Sequence, residues 1–93
     1  MKKRYILTID EGTTSVRAIL FDVKKQKIKR ITRSYIKLIK QNLTWVEFDA
    51  NEMWEATLVC LKDVARGIDP EKIYGIGITN QRETTIAWNK ETG

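Results

Sequence analysis

Tyr5-Ile6-Leu7-Thr8-Ile9-Asp10-Glu11-Gly12-Thr13-Thr14-Ser15-Val16-Arg17-Ala18-Ile19-Leu20-Phe21 decides the fold. Two β-rich apolar runs, Tyr5–Ile9 and Val16–Phe21, read as strands. The polar segment between them is too short for a crossover, so they must be antiparallel neighbours joined by a tight turn. Asp10 sits at the strand end, Gly12 lets the backbone come close, and Thr13, Thr14 and Ser15 line the turn with hydroxyls. Two readings stand. The turn is an ordinary hairpin built from the residues turns use, or it is a concavity whose N–H and hydroxyl donors take an anion. In the second, Arg17 turns its guanidinium fork towards the anion, and Asp10 positions magnesium through water. The segment is not the Gly-rich loop that ends in Lys-Ser or Lys-Thr.

Outward from the hairpin, Asp22 to Lys27 is a charged turn and Ile28–Ile39 is ambiguous. Ile28, Ile31, Tyr35 and Leu38 have helical spacing, whereas the β-branched content and the short connection favour a third strand. Gln41 to Asp49 reads as a loop that tucks Trp45, Val46 and Phe48 against the body. Asp49 then offers an N-cap and Glu52 a capping box. Met53, Trp54, Thr57, Leu58, Leu61, Val64 and Ala65 form the apolar stripe of a helix, with Trp54 in the core. Arg66 lies in its last turn, Gly67 stops it and Pro70 follows.

Ile73–Thr79 reads as a buried strand with Tyr74, Ile76 and Ile78 on one face and Gly75 and Gly77 on the other. Two glycines on one face imply a close approach by a helix or a ligand. A strand that follows a helix is expected to run parallel to an earlier one. Thr84–Trp88 reads as another strand and Asn89–Gly93 as a turn. A turn with no strand after it suggests a truncated domain.

The fold class expected is α/β, a mixed sheet with the element order βββαβ(β). The strands fall near residues 4–10, 16–22, 27–36 and 73–79, and the helix near 50–66. One helix covers one sheet face, so the other is expected to be bare and apolar, and the chain to self-associate.

Composition narrows the function. There is no His and only Cys60, so a disulfide framework within the chain is excluded and a zinc site disfavoured. Acid–base work would fall to carboxylates or Lys. No apolar run is long enough to span a bilayer, and a reducing cytoplasm is the expected setting. Residues 1–46 hold twelve Lys/Arg against three Asp/Glu, and residues 47–93 five against nine. Eight of the bases fall between Lys24 and Lys40, where Tyr35 is the one aromatic, so a solvated strand face and turn is favoured over a nucleic-acid surface.

Beyond the last full strand, Thr79-Asn80-Gln81-Arg82-Glu83-Thr84-Thr85 follows a strand's carboxyl end, where parallel sheets collect ligands. Arg82 and Glu83 could grip neighbouring hydroxyls of a polyol, or form a plain surface ion pair. This stretch, with Ile9–Ser15, Arg17, Trp45-Val46-Glu47, Asp49 and Trp54, resembles the FGGY carbohydrate kinases, within the ribonuclease-H-like fold group of actin, hexokinase and heat-shock ATPases. The hairpin marks the superfamily, and Asn80–Thr85 is similar to the glycerol kinases rather than to the xylulose, ribulose or gluconate kinases.

The resemblance covers residues 1–93, as the N-terminal part of the first domain of a much longer enzyme. It implies ATP and magnesium as cofactors, glycerol as substrate, and transfer of the γ-phosphoryl group to give glycerol 3-phosphate. By it, Gly12, Thr13, Thr14, Ser15 and Arg17 would serve the nucleotide's phosphates, Asp10 the magnesium, and Arg82 and Glu83 the glycerol hydroxyls. The base, a further substrate-contacting Tyr and the adenosine pocket would lie beyond Gly93, so the chain alone is expected to be inactive, and the whole enzyme is expected to be a homo-oligomer without nucleic-acid or membrane partners. Two residues depart from the family pattern. Glu11 replaces the usual Gln, adding charge beside the turn if it points there, and Phe48 replaces a common His.

Overall fold

In a computed structural model of the chain, residues 2–12, 14–40, 46–80 and 86–93 are described. Strands β1 (Tyr5–Glu11), β2 (Ser15–Asp22) and β3 (Lys27–Tyr35) are followed by two short strands, β4 (Ile39–Lys40) and β5 (Val46–Glu47). Helix α1 (Ala50–Val64), a 3-10 turn (Pro70–Lys72) and strand β6 (Ile73–Asn80) complete the order. The main sheet runs β3-β2-β1-β6. Its first two pairings are antiparallel, and β6 lies parallel to β1, as a strand reached through a helix should.

Alternation explains which face is buried. Tyr5, Leu7 and Ile9 of β1 and Val16, Ala18 and Leu20 of β2 point to one side, are buried, and form the core with α1. Ile6, Thr8, Asp10, Arg17 and Ile19 share the opposite side by register, and no helix covers it among the described residues. Apolar side chains stand exposed there, Ile6 at 40% and Ile31 at 54%.

The helix begins as its sequence dictates: Asp49 accepts the Asn51 N–H at 2.9 Å. Glu52, expected to complete a capping box, accepts the Lys37 N–H at 2.9 Å and ties the first turn to the segment after β3. The buried seam differs from the expected stripe. Ala56, Thr57, Cys60 and Val64 face the sheet, and Trp54 is 58% exposed rather than in the core. Small residues win the seam because they let the helix come close enough for the Cys60 thiol to donate to the Val16 carbonyl at 3.5 Å. Trp54 is too large for that gap and lies on the flank.

At the far end, Arg30 supplies what the helix lacks. Its Nη1 donates to the carbonyls of Asp63 (3.2 Å), Val64 (3.0 Å) and Arg66 (2.8 Å), the orphan acceptors of the last turn. Gly67, at φ 74°, then turns the chain in a region that side chains with a Cβ avoid. At the sheet's other end, the Asp22 carboxylate, 3% exposed, takes a bidentate bond from Arg4 with a shortest distance of 2.9 Å. It also accepts the Lys25 N–H at 3.2 Å.

The Arg4 bond holds Asp22 well below its ordinary 3.8, at about 2. A carboxylate with a depressed pKa contributes its stability in full above the ordinary value and loses it as pH falls through the folded one. The unfolding midpoint of the wild type should therefore approach that of Asp22→Asn as pH falls from 3.8 to about 2. A constant gap across that window in urea titrations would show that Asp22 titrates alike in the folded and unfolded chain, and that the Arg4 bond does not lower its pKa.

Three further expectations need correction. Strand β6, expected to be buried, is exposed at every position after Ile73, because α1 packs over β2 and β3 instead. Within the supposed loop 41–49, β5 pairs with β4 in a short ladder, Ile39 opposite Glu47 and Lys40 opposite Val46. Two-residue strands carry too few positions to show a period. Residues 41–45, and so Trp45, lie outside the described residues, while Phe48 packs against the core. Over the expected strand at 84–88, residues 86–88 form no strand and are exposed, and 84 and 85 lie outside the described residues. The turn after it does form: Asn89 accepts the N–H groups of Glu91 (2.7 Å) and Thr92 (3.2 Å) through its side chain.

Candidate functional site

Register brings the carboxyl ends of two parallel strands together: Asp10 of β1 lies beside Thr79 of β6, and Glu11 beside Asn80. On the other side of β1, Asp10 is paired with Arg17 of β2. The three strands thus place Thr8, Asp10, Arg17, Ile19, Gly77 and Thr79 around a cleft of about 350 Å³ on the uncovered face. Gly77 keeps it open. A Cβ there would meet only the Thr8 methyl at 3.8 Å, so the glycine's effect is to leave room rather than to relieve a clash. The close approach expected at both glycines is not seen among the described residues: a Cβ at Gly75 would meet nothing within 4 Å.

Arg17 and Asp10 form an ion pair at 3.3 Å, with side chains 38% and 45% exposed. Only one terminal nitrogen of the guanidinium is used in this bond. Arg17 Nε is buried and has no protein partner among the described residues. An unsatisfied charged donor is costly, and the natural remedy is an acceptor entering the cleft. Beside it, the turn after β1 closes with the Gly12 N–H donating to the Ser15 carbonyl at 2.9 Å. A Cβ on residue 12 would stand 3.2 Å from that same oxygen, so Gly12 serves the tightness of the turn. Its N–H is spent there, which leaves the hydroxyls of Thr14, exposed, and Ser15, half-buried, as donors at the rim.

Glu11 is on the opposite side of the sheet. The buried Thr57 hydroxyl lies 3.2 Å from Glu11 Oε2 and 2.9 Å from the Met53 carbonyl, sharing one proton between them. The charge that departs from the family pattern is therefore engaged by the helix, not by the Asp10–Arg17 cleft. Cys60 is fully buried and its thiol is pushed up by that burial, which makes it a packing residue rather than a nucleophile.

Among the described residues no three His, Cys, Asp or Glu side chains cluster to hold a metal ion. A lone carboxylate suits magnesium, which keeps most of its waters and takes its remaining ligands from phosphates. Thr13, Arg82 and Glu83, named from the sequence, lie outside the described residues. Strand β6 ends at Asn80, beside Glu11 of β1. Sequence reasoning missed Thr8, whose two-residue offset from Asp10 on one strand was the available signal.

The chain belongs to the FGGY family of carbohydrate kinases, whose N-terminal domain matches residues 5–93. Among curated relatives, it is 52% identical to a glycerol kinase of Ligilactobacillus salivarius and 48% identical to one of Staphylococcus haemolyticus. These alignments take in 100% and 98% of the chain but 19% and 18% of the relatives, so the chain spans about a fifth of their length. A solved xylulose kinase from Lactobacillus acidophilus, described as ligand-bound, superimposes with a TM-score of 0.73 at 27% identity over 83% of the chain and 15% of that protein. The Plasmodium falciparum glycerol kinase solved with ADP gives 0.72 at 24% identity over 90% and 17%. The mixed sheet with one helix is accordingly the ribonuclease-H-like α/β fold of these kinases.

Proposed function

We propose that this chain forms the N-terminal part of the first domain of an ATP-dependent glycerol kinase, and supplies its phosphate-handling face. The observation that carries the reading is Arg17, half-satisfied by Asp10, with a buried Nε still lacking an acceptor at the mouth of the cleft. Its free donors suit a phosphate oxygen, and Thr13, Thr14 and Ser15 add hydroxyls along the Gly12 turn. Asp10 orients magnesium through water, and the ion, when bound, neutralises phosphate charge. Arg82 and Glu83 hold the glycerol hydroxyls, the guanidinium donating and the carboxylate accepting. The relatives' glycerol kinase names support this choice of acceptor. The buried, reduced Cys60 accords with a cytoplasmic setting.

Phosphoryl transfer relies on positioning and electrostatic stabilisation. A chain that holds phosphate-side groups but no base supplies neither in full, so the 93 residues alone should show no turnover. The test is a chimera in which this chain replaces the matching segment of the Ligilactobacillus salivarius glycerol kinase. Glycerol-dependent ADP release by the chimera is expected, with none from the isolated chain. A folded chimera that turns over xylulose or gluconate in preference to glycerol contradicts the reading.

A further inference from the structure

Resting on the glycerol kinase reading, we propose that Arg33 is a second phosphate-binding residue, which holds the nucleotide's phosphate tail together with Arg17. Register sets four residues in one row across the sheet: Thr79 of β6, Asp10 of β1, Arg17 of β2 and Arg33 of β3. Residues directly opposite one another share a face, so Arg33 stands on the cleft side, one strand beyond Arg17. Like charges placed opposite one another on neighbouring strands are destabilising. The row nevertheless holds two guanidiniums against one carboxylate, and that carboxylate, Asp10, is engaged with Arg17 at 3.3 Å.

The neighbouring rows bring no second acid. On one side lie Gly77, Thr8, Ile19 and Ile31, and on the turn side Ser15 is paired with Tyr35. Arg33 is exposed and forms no ion pair among the described residues. Arg17 Nε, which is buried, likewise lacks an acceptor among them. A multiply charged anion lying along the row answers both needs: it screens the two cations from each other and gives each an acceptor. Neighbouring strands lie about 4.8 Å apart, so Arg33 is about 10 Å from Asp10 across the sheet. A chain of phosphates suits that span better than a single phosphate, and the Ser15 and Tyr35 hydroxyls flank it. Of the eight bases between Lys24 and Lys40, it is Arg33 that register sets opposite Arg17.

The chimera with the Ligilactobacillus salivarius enzyme tests this, with Arg17→Ala as the reference for the site itself. Arg33→Ala should raise the KM for ATP, and the Kd for ADP with magnesium in equilibrium titration, by about tenfold, the effect of one hydrogen bond to a charged group. Its kcat and its KM for glycerol should stay within about twofold of the parent, because a contact made alike before and during transfer is lost from both. Arg33→Lys should recover most of the affinity, since a point charge still meets a phosphate. Lys27→Ala, at the other end of β3, removes the same charge and should bind ADP as the parent does. Without nucleotide, the unfolding midpoint of Arg33→Ala should equal or exceed the parent's, since the substitution relieves repulsion. Parent-like ADP binding by Arg33→Ala, with kcat lost in Arg17→Ala, overturns the proposal and leaves the kinase reading standing. An equal loss in Lys27→Ala, or a lowered ligand-free midpoint in Arg33→Ala, overturns it too, by giving Arg33 a general or structural role. A folded parent chimera that binds no ADP overturns both.

Discussion

Arg17→Ala in the chimeric kinase should lower kcat by about 10²- to 10³-fold, the usual effect of removing one donor aimed at developing charge. The size of the effect separates chemistry from folding. The Arg17–Asp10 pair is more than a third exposed on both sides, so breaking it costs the fold less than about 1 kcal/mol. A loss of two to three decades in rate with an unchanged unfolding midpoint therefore reports on the cleft. Arg17→Lys should recover only part of the rate, because an ammonium cannot reproduce the planar fork. If Arg17→Ala turns over like the parent, the guanidinium serves only Asp10 and the phosphate role is wrong.

The largest expected effect on stability lies on the other side of the sheet. Leu20 is fully buried beneath α1. Its truncation to Ala removes apolar contact and leaves a cavity, at about 2–5 kcal/mol. Set against a total of about 5–15 kcal/mol for a typical domain, that is a large share of the stability. Ile31→Ala, at a position 54% exposed on the bare face, should shift stability by about 0.5 kcal/mol or less. Urea titration of both variants checks the contrast. Equal losses would mean that the bare face is as well packed as the core.

These effects trace back to features of unequal visibility in the sequence. The hairpin could be read because alternation in Tyr5–Ile9 and Val16–Phe21 and a short polar turn leave one topology. The helix start could be read because Asp49 acts on its own first turn. Long-range contacts carry no such mark. Arg30 lies 34 residues from Val64, the carbonyl it satisfies, and nothing around Arg30 announces that partner. The rotation of α1 that exposes Trp54 depends on which side chains of β2 it meets. At the site, Asp10 and Arg17 were legible through the hairpin register. The side taken by Glu11 was not, because it is settled by Thr57, 46 residues away.

Strand alternation thus separates two adjacent carboxylates: Asp10 enters the cleft and Glu11 turns to the helix. The most direct measurement compares Asp10→Asn with Glu11→Gln in the chimera at saturating glycerol. The account predicts a loss of about 10²-fold or more in kcat for Asp10→Asn. For Glu11→Gln it predicts a change within about twofold, the size of an ordinary substitution away from the chemistry. Comparable losses at both positions, or a loss at Glu11 alone, would contradict it.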